Sequence, residues 1–214
     1  MTDFKGFKGA AKRITDIDLP RIGNEIGVGE DEIHAIIDVE TTGSGFDDQG
    51  RPKILFEPAV FYRNLSGAAR AKAVAAKLAA PVWGQISYGA TSNQYPRLLN
   101  AMAIDETAAL KSASWGMGQV MGGNFAAAGF DSVQEMVFAM MEGEANQLQA
   151  MVDFIKSEHL DDDLRRHSWA SFARGYNGPG YRKNQYDTKL ASAFVRWSKI
   201  PDTKWVPGQG LKAT

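Results

Sequence analysis

In "IIDVETTGSGF", residues 36–46, a glutamate closes an apolar stripe. Ile37, Ile36 and Ile33 lie three, four and seven positions before Glu40, so on a helix the carboxylate shares their face and points toward a core. Lost hydration beside an apolar wall disfavours the ionised form and raises the pKa. A glutamate that keeps its proton near neutral pH is a general acid, able to protonate a departing alkoxide or glycosidic oxygen. The same residue at a helix end can also curl out to solvent, and spacing alone leaves both readings open. Asp38 projects to the other side within reach of His34, which reads as a surface pair.

An acid of this kind often works with a second carboxylate, a nucleophile at about 5 Å or a water-activating base at roughly 6.5 to 9.5 Å. Asp47, Asp48 and Glu57 follow Glu40. The two aspartates sit in a glycine-flanked turn, where short acids are common for conformational reasons. Glu57 follows the apolar "KILF" and either faces a cleft or caps the helix beginning at Pro58. A single-acid scheme, with Ser44, Tyr176 or Gln119 holding the water, also stands.

Two glycine-rich stretches add groups suited to sugars. "SASWGMGQVMGGNF", residues 112–125, gathers Ser114, Trp115, Gly116 and Gln119. Its small residues let a ligand approach the backbone, while Trp and Gln offer a stacking face and a two-way hydrogen-bonding amide. "ARGYNGPGYR", residues 173–182, does the same with Tyr176 and Asn177. Aromatic faces beside amides fit sugars, whose apolar ring faces are rimmed with hydroxyls. Structural readings stand beside these: Trp115 as a core residue, and Tyr-Asn-Gly-Pro-Gly as a tight turn.

The elements that must carry these residues read as mostly helical. Thr15 with Asp18 opens a helix through about Glu25 that Gly27 caps, and the next runs from about Glu30 to Glu40 with acids in its first turn. The segment 44–56, with its Asp47-Asp48-Gln49-Gly50 turn, reads as a β-hairpin. Helical patterns return over 58–65, 67–80, 95–113, 132–158 and 184–197. The connector "PVWGQISYGATSN", residues 81–93, is long for a structureless loop, and such loops often carry function. No internal repeat or linker divides the 214 residues, so one domain is expected over 1–214. Within 1–14, Phe4, Phe7, Ala11 and Ile14 would make an apolar stripe flanked by Lys5, Lys8, Lys12 and Arg13, either packed on the body or in weak contact with a membrane surface.

Composition excludes several classes. A net charge of -1 gives no long-range attraction for nucleic acid. The absence of cysteine rules out disulfides, thiolate nucleophiles and Cys-ligated zinc. No run of about 18 apolar residues spans a membrane, and the N-terminus lacks the apolar core of a secretory signal.

The motifs "VETTGSGF", "GRPKILFE", "QYPRL", "SWGMGQVMG" and "ARGYNGPGY", the last followed by "YDTKLA", occur in this order over about 14–197. Together they resemble the N-acetylmuramidase domain of phage endolysins, a branch of the lysozyme-like superfamily that includes goose-type lysozymes and lytic transglycosylases. The resemblance implies a mainly α-helical, two-lobed α+β fold with a small β-hairpin and a glycan-binding cleft. It implies a peptidoglycan hydrolase cutting the β-1,4 bond between N-acetylmuramic acid and N-acetylglucosamine, with Glu40 as the catalytic acid. It places the "SWGMGQ" and "YNGPG" segments on the sugar sites and calls for no metal or organic cofactor. Relatives carry Arg-His after the "ILFE" motif, whereas Pro58 and Ala59 follow Glu57 here, so the work of that basic pair is missing or done differently. Other roles compatible with the motifs are a lytic transglycosylase and a catalytically silent glycan-binding phage structural domain. The expected partner is the bacterial glycan strand, met by a monomer that accumulates in the host cytoplasm and reaches the periplasmic wall once the membrane is breached.

Overall fold

A computed structural model describes residues 2–40 and 43–208. Asp18 accepts hydrogen bonds from Thr15 N and Oγ1, both at 2.8 Å, and this pair opens α1 (Asp18–Gly23). A 3-10 turn continues it to Gly27, which ends it at φ 70°. Next comes α2 (Glu30–Glu40), whose three first-turn acids complement the helix dipole. Gly29 N donates to Glu32 Oε2 at 3.0 Å, and Ile33, Ile36 and Ile37 are buried. Thr41 and Thr42, expected to help end this helix, lie outside the described residues.

The expected hairpin is corrected. Its turn forms, with Asp47 N donating to Arg51 O at 2.8 Å and Gly50 N to Asp47 O at 3.0 Å, but the arms meet only in one bridge, Phe46 to Pro52. The glycine-rich arm has few side chains to build a ladder, and the apolar arm pairs elsewhere. Strand β1 (Ile54–Phe56) runs antiparallel to β2 (Ala113–Trp115), which runs antiparallel to β3 (Val120–Met121), giving a three-stranded sheet in the order β1-β2-β3.

Pro58 begins α3 (Pro58–Asn64), and α4 (Gly67–Ala75) follows. The helix expected over 95–113 is two helices and a strand. After α5 (Gln94–Met102), Asp105 caps α6 (Glu106–Lys111) by accepting from Ala108 N at 2.8 Å, and Ala113 already belongs to β2. The helix expected over 132–158 breaks at the extended Gly143 into α7 (Val133–Glu142) and α8 (Glu144–Ser157). The N-terminal segment fills the break: Lys12 N donates to Glu142 O at 3.0 Å and Glu144 N to Lys12 O at 2.8 Å. That segment is not a helix beyond a 3-10 turn at Lys5–Phe7, whose Gly6 sits at φ 66°. Its apolar residues go inward: Phe4 and Phe7 are buried, with Phe7 5.1 Å from Tyr95 and 5.9 Å from Trp115, ring centre to ring centre. The chain closes with α9 (Asp161–Arg165), α10 (Trp169–Asn177) and α11 (Tyr186–Trp197). Two of these helices, α9 and α10, have no counterpart in the sequence expectation.

One continuous apolar cluster runs through these elements from Phe4 to Leu190. Helix α11 packs along α2 and α10, placing the C-terminal ends of α2 and α10 opposite the sheet.

Candidate active site

A cleft of about 460 Å³ lies between these two groups of elements. The end of α2 contributes Glu40, the end of α10 contributes Tyr176 and Asn177, and Tyr186 comes from the start of α11. The facing wall carries Leu55, Glu57, Ser114 and Gln119 from the sheet region, with Trp83 and Tyr88 from the 81–93 connector.

Glu40 is partly exposed to the cleft and otherwise surrounded by protein. Desolvation pushes its pKa up to about 7, although Asn177 Nδ2 donates to its Oε1 at 2.7 Å and so favours the ionised form. The amide oxygen of Asn177 is buried with no hydrogen-bond partner among the described residues. Tyr176 packs its ring against Phe172 and Phe154 and donates to Gly118 O at 2.6 Å, tying α10 to the turn between β2 and β3.

Burial also raises the pKa of Glu57, but two groups oppose it: Tyr88 Oη, donating to Oε2 at 2.7 Å, and the charge of Arg63. Tyr88 is itself held. Gln94 Nε2 donates to Tyr88 O at 2.7 Å, Arg97 donates to the same carbonyl at 3.1 Å, and Gln94 Oε1 accepts from Phe56 N at 3.0 Å. One buried amide therefore links the strand leading into Glu57 to the residue that hydrogen-bonds it. The charges of both Glu40 and Glu57 bear on Tyr186, whose phenol burial and this field keep neutral. The result is two carboxylates in one cleft, both shifted toward the acid, with more groups opposing the shift at Glu57 than at Glu40.

Other residues singled out in the sequence lie differently. Asp47 is bound by Arg51 Nε at 2.8 Å and Nη2 at 2.7 Å, which holds its carboxyl below its ordinary range, and it organises the turn away from this cleft. Asp48 is exposed on the same turn. Ser44 belongs to a buried network around Glu144, which also accepts from Gly45 N at 2.9 Å and Ile14 N at 3.1 Å. Trp115 has no exposed surface and donates to Leu110 O at 3.1 Å, so it offers no face to a sugar. The glycine of that motif makes room for protein: a Cβ on Gly116 would sit 2.8 Å from the Gln147 side chain. Ser114 Oγ donates to Gln119 Oε1 at 2.8 Å, and Gln119 Nε2 donates to Gly116 O at 2.8 Å, so both line the cleft while bracing the β2–β3 turn. Asp38 bonds Trp197 Nε1 at 2.8 Å and Arg196 at 3.1 Å instead of His34, which stacks on Trp197.

Sequence reasoning missed Leu55, Trp83, Tyr88, Met121, Asn184 and Tyr186 as cleft residues. The unusual length of the 81–93 connector was the signal for two of them. Among the described residues no three acidic, histidine or cysteine side chains gather to hold a metal ion, and no helix is long and apolar enough to cross a membrane.

Helices meeting a small antiparallel sheet across a cleft make a lysozyme-like fold. Residues 30–198 match the N-acetylmuramidase family, and the chain belongs to that family. The crystal structure of the Burkholderia AP3 phage endolysin is similar, with a TM-score of 0.76 and 37% identity over 88% of this chain and 73% of that one. No curated protein matches the sequence. The chain is thus a muramidase domain of the phage-endolysin kind, a hydrolase of peptidoglycan.

Proposed function

We propose that the cleft cuts the β-1,4 bond between N-acetylmuramic acid and N-acetylglucosamine, with Glu40 as general acid and Glu57 as the base that activates water. The observation that carries this reading is the pairing of Glu40, with a pKa near 7, and a Tyr88-bound Glu57 in a single cleft. Glu40 delivers its proton to the glycosidic oxygen as the bond breaks. Glu57, ionised with help from Tyr88 and Arg63, takes a proton from the water that attacks the sugar carbon. Asn177 orients Glu40 through its Nδ2 donor. Ser114, Gln119 and Tyr176 shape the floor. The base distinguishes hydrolysis from transglycosylation, in which an internal hydroxyl of the sugar replaces water.

Mass spectrometry of fragments released from purified sacculi tests the reading. Reducing muramic acid ends are expected. Ends lighter by one water would assign a lytic transglycosylase, and reducing glucosamine ends would assign the other glycosidic bond. A silent glycan-binding domain would release nothing.

A further inference from the structure

The side arm that distinguishes muramic acid from N-acetylglucosamine carries acid groups. It is a free lactyl carboxylate on a peptide-stripped strand and the carboxylates of the stem peptide on an intact one. On charge alone this cleft is poorly prepared for them, since its lining includes Glu40 and Glu57 but no lysine or arginine. Two cations approach from its rim, Lys189, whose Nζ lies 5.9 Å from the centre of the Tyr186 ring, and Arg63, which also acts on a carboxylate. Arg63, in the last turn of α3, is close enough for its charge to lower the pKa of Glu57, and its guanidinium lies 5.1 Å from the centre of the Trp83 ring. Trp83 lines the cleft and is 52% exposed, a large aromatic face left open to solvent. No carboxylate among the described residues pairs with Arg63. Other arginines nearby are committed: Arg51 to Asp47, and Arg97 to the carbonyls of Ser87 and Tyr88.

We infer that Arg63 and Trp83 form a muramyl subsite, in which Trp83 stacks on a sugar face and Arg63 pairs with a carboxylate of the muramyl side arm. This rests on the glycan-cleft reading and adds the element that tells a muramyl strand from a neutral one. Stacking on Trp83 restrains the guanidinium with its donors free, so little further order is lost when a carboxylate arrives. Trp83 supplies contact area to either sugar and Arg63 supplies the discrimination.

The test is calorimetric binding in a Glu40→Gln background, where turnover is strongly slowed. Three tetrasaccharides serve as probes: chitotetraose, with no carboxylate; a peptide-stripped muramyl tetrasaccharide; and the same glycan with its stem peptides. Arg63→Gln is expected to weaken binding of at least one muramyl probe about tenfold and to leave chitotetraose unchanged, the worth of one charge-assisted contact. Loss on the stripped probe assigns the lactyl carboxylate, and loss only on the peptide-bearing probe assigns the stem. Arg63→Lys should restore part of the difference, and Trp83→Ala should weaken all three probes. Equal losses on chitotetraose and the muramyl probes, or none on either, would overturn the subsite. Failure of the Glu40→Gln parent to bind any probe would instead overturn the glycan-cleft reading beneath it.

Discussion

Glu40 and Glu57 meet the same desolvation and answer it differently because of what touches them. Asn177 alone opposes the rise at Glu40, whereas a phenol and a guanidinium oppose it at Glu57. For kcat/KM this gives a bell-shaped pH profile. Its alkaline limb falls as Glu40 loses its proton near pH 7, and its acid limb lies where Glu57 becomes protonated, above the ordinary glutamate range. Tyr88→Phe removes a hydrogen bond to the carboxylate ion, so the Glu57 pKa rises further. The acid limb should then move to higher pH by on the order of one pH unit while the alkaline limb stays in place. An unmoved acid limb in the Phe variant would separate Tyr88 from the titration. At this scale the sequence was informative about Glu40, because three isoleucines at helical spacing fixed its face. For Tyr88 and Trp83 it offered only the length of their connector, since the position of Tyr88 depends on how Gln94 and Arg97 fold back on that loop and Trp83 meets Arg63.

At the scale of elements, helical periodicity was legible where one face meets the core, as in α2 and α11, and misleading where two helices abut. The patterns over 95–113 and 132–158 run on through breaks, one local and one held by a tertiary contact. The Asp105 cap marks the first break. The second is stabilised by the N-terminal segment bonding into the gap at Gly143, some 130 residues away in sequence. Glycine-rich motifs were likewise ambiguous. Those at Gly45 and Gly116 fit the buried Gln147, which accepts from Met117 N at 2.8 Å and donates to Met140 O at 2.9 Å. A Cβ on Gly45 would lie 1.8 Å from Gln147 Oε1, so Gly45→Ala must displace that side chain. It should lower stability by about 1–3 kcal/mol in thermal unfolding. A melting temperature equal to that of the unmodified protein would show that Gln147 moves aside freely.

For the molecule as a whole, raising the pKa of Glu40 is a cost that folding sets against function. Unfolded, this carboxyl titrates near its ordinary 4.5; folded, it titrates near 7. Between these values the folded state holds more protons than the unfolded state, so this site's contribution to stability falls as pH rises through that window. The full difference corresponds to at most about 3 kcal/mol. Glu40→Gln does not titrate, so its melting temperature should rise relative to the parent between pH 4.5 and pH 8, with the larger gain at pH 8. A constant difference across that range would place the Glu40 pKa near its ordinary value. The overall helical character was readable from periodicity. The sheet was not, because β2 and β3 are short and glycine-flanked, and β2 pairs with a strand almost sixty residues earlier.

The same Glu40→Gln protein bears most directly on the central claim, that Glu40 is the acid. With its fold checked by circular dichroism, its release of reducing ends from purified sacculi near pH 6 is compared with that of the parent. Loss of the proton donor predicts a fall of roughly 10² to 10⁴-fold. Release within tenfold of the parent would contradict the assignment and move the acid elsewhere in the cleft.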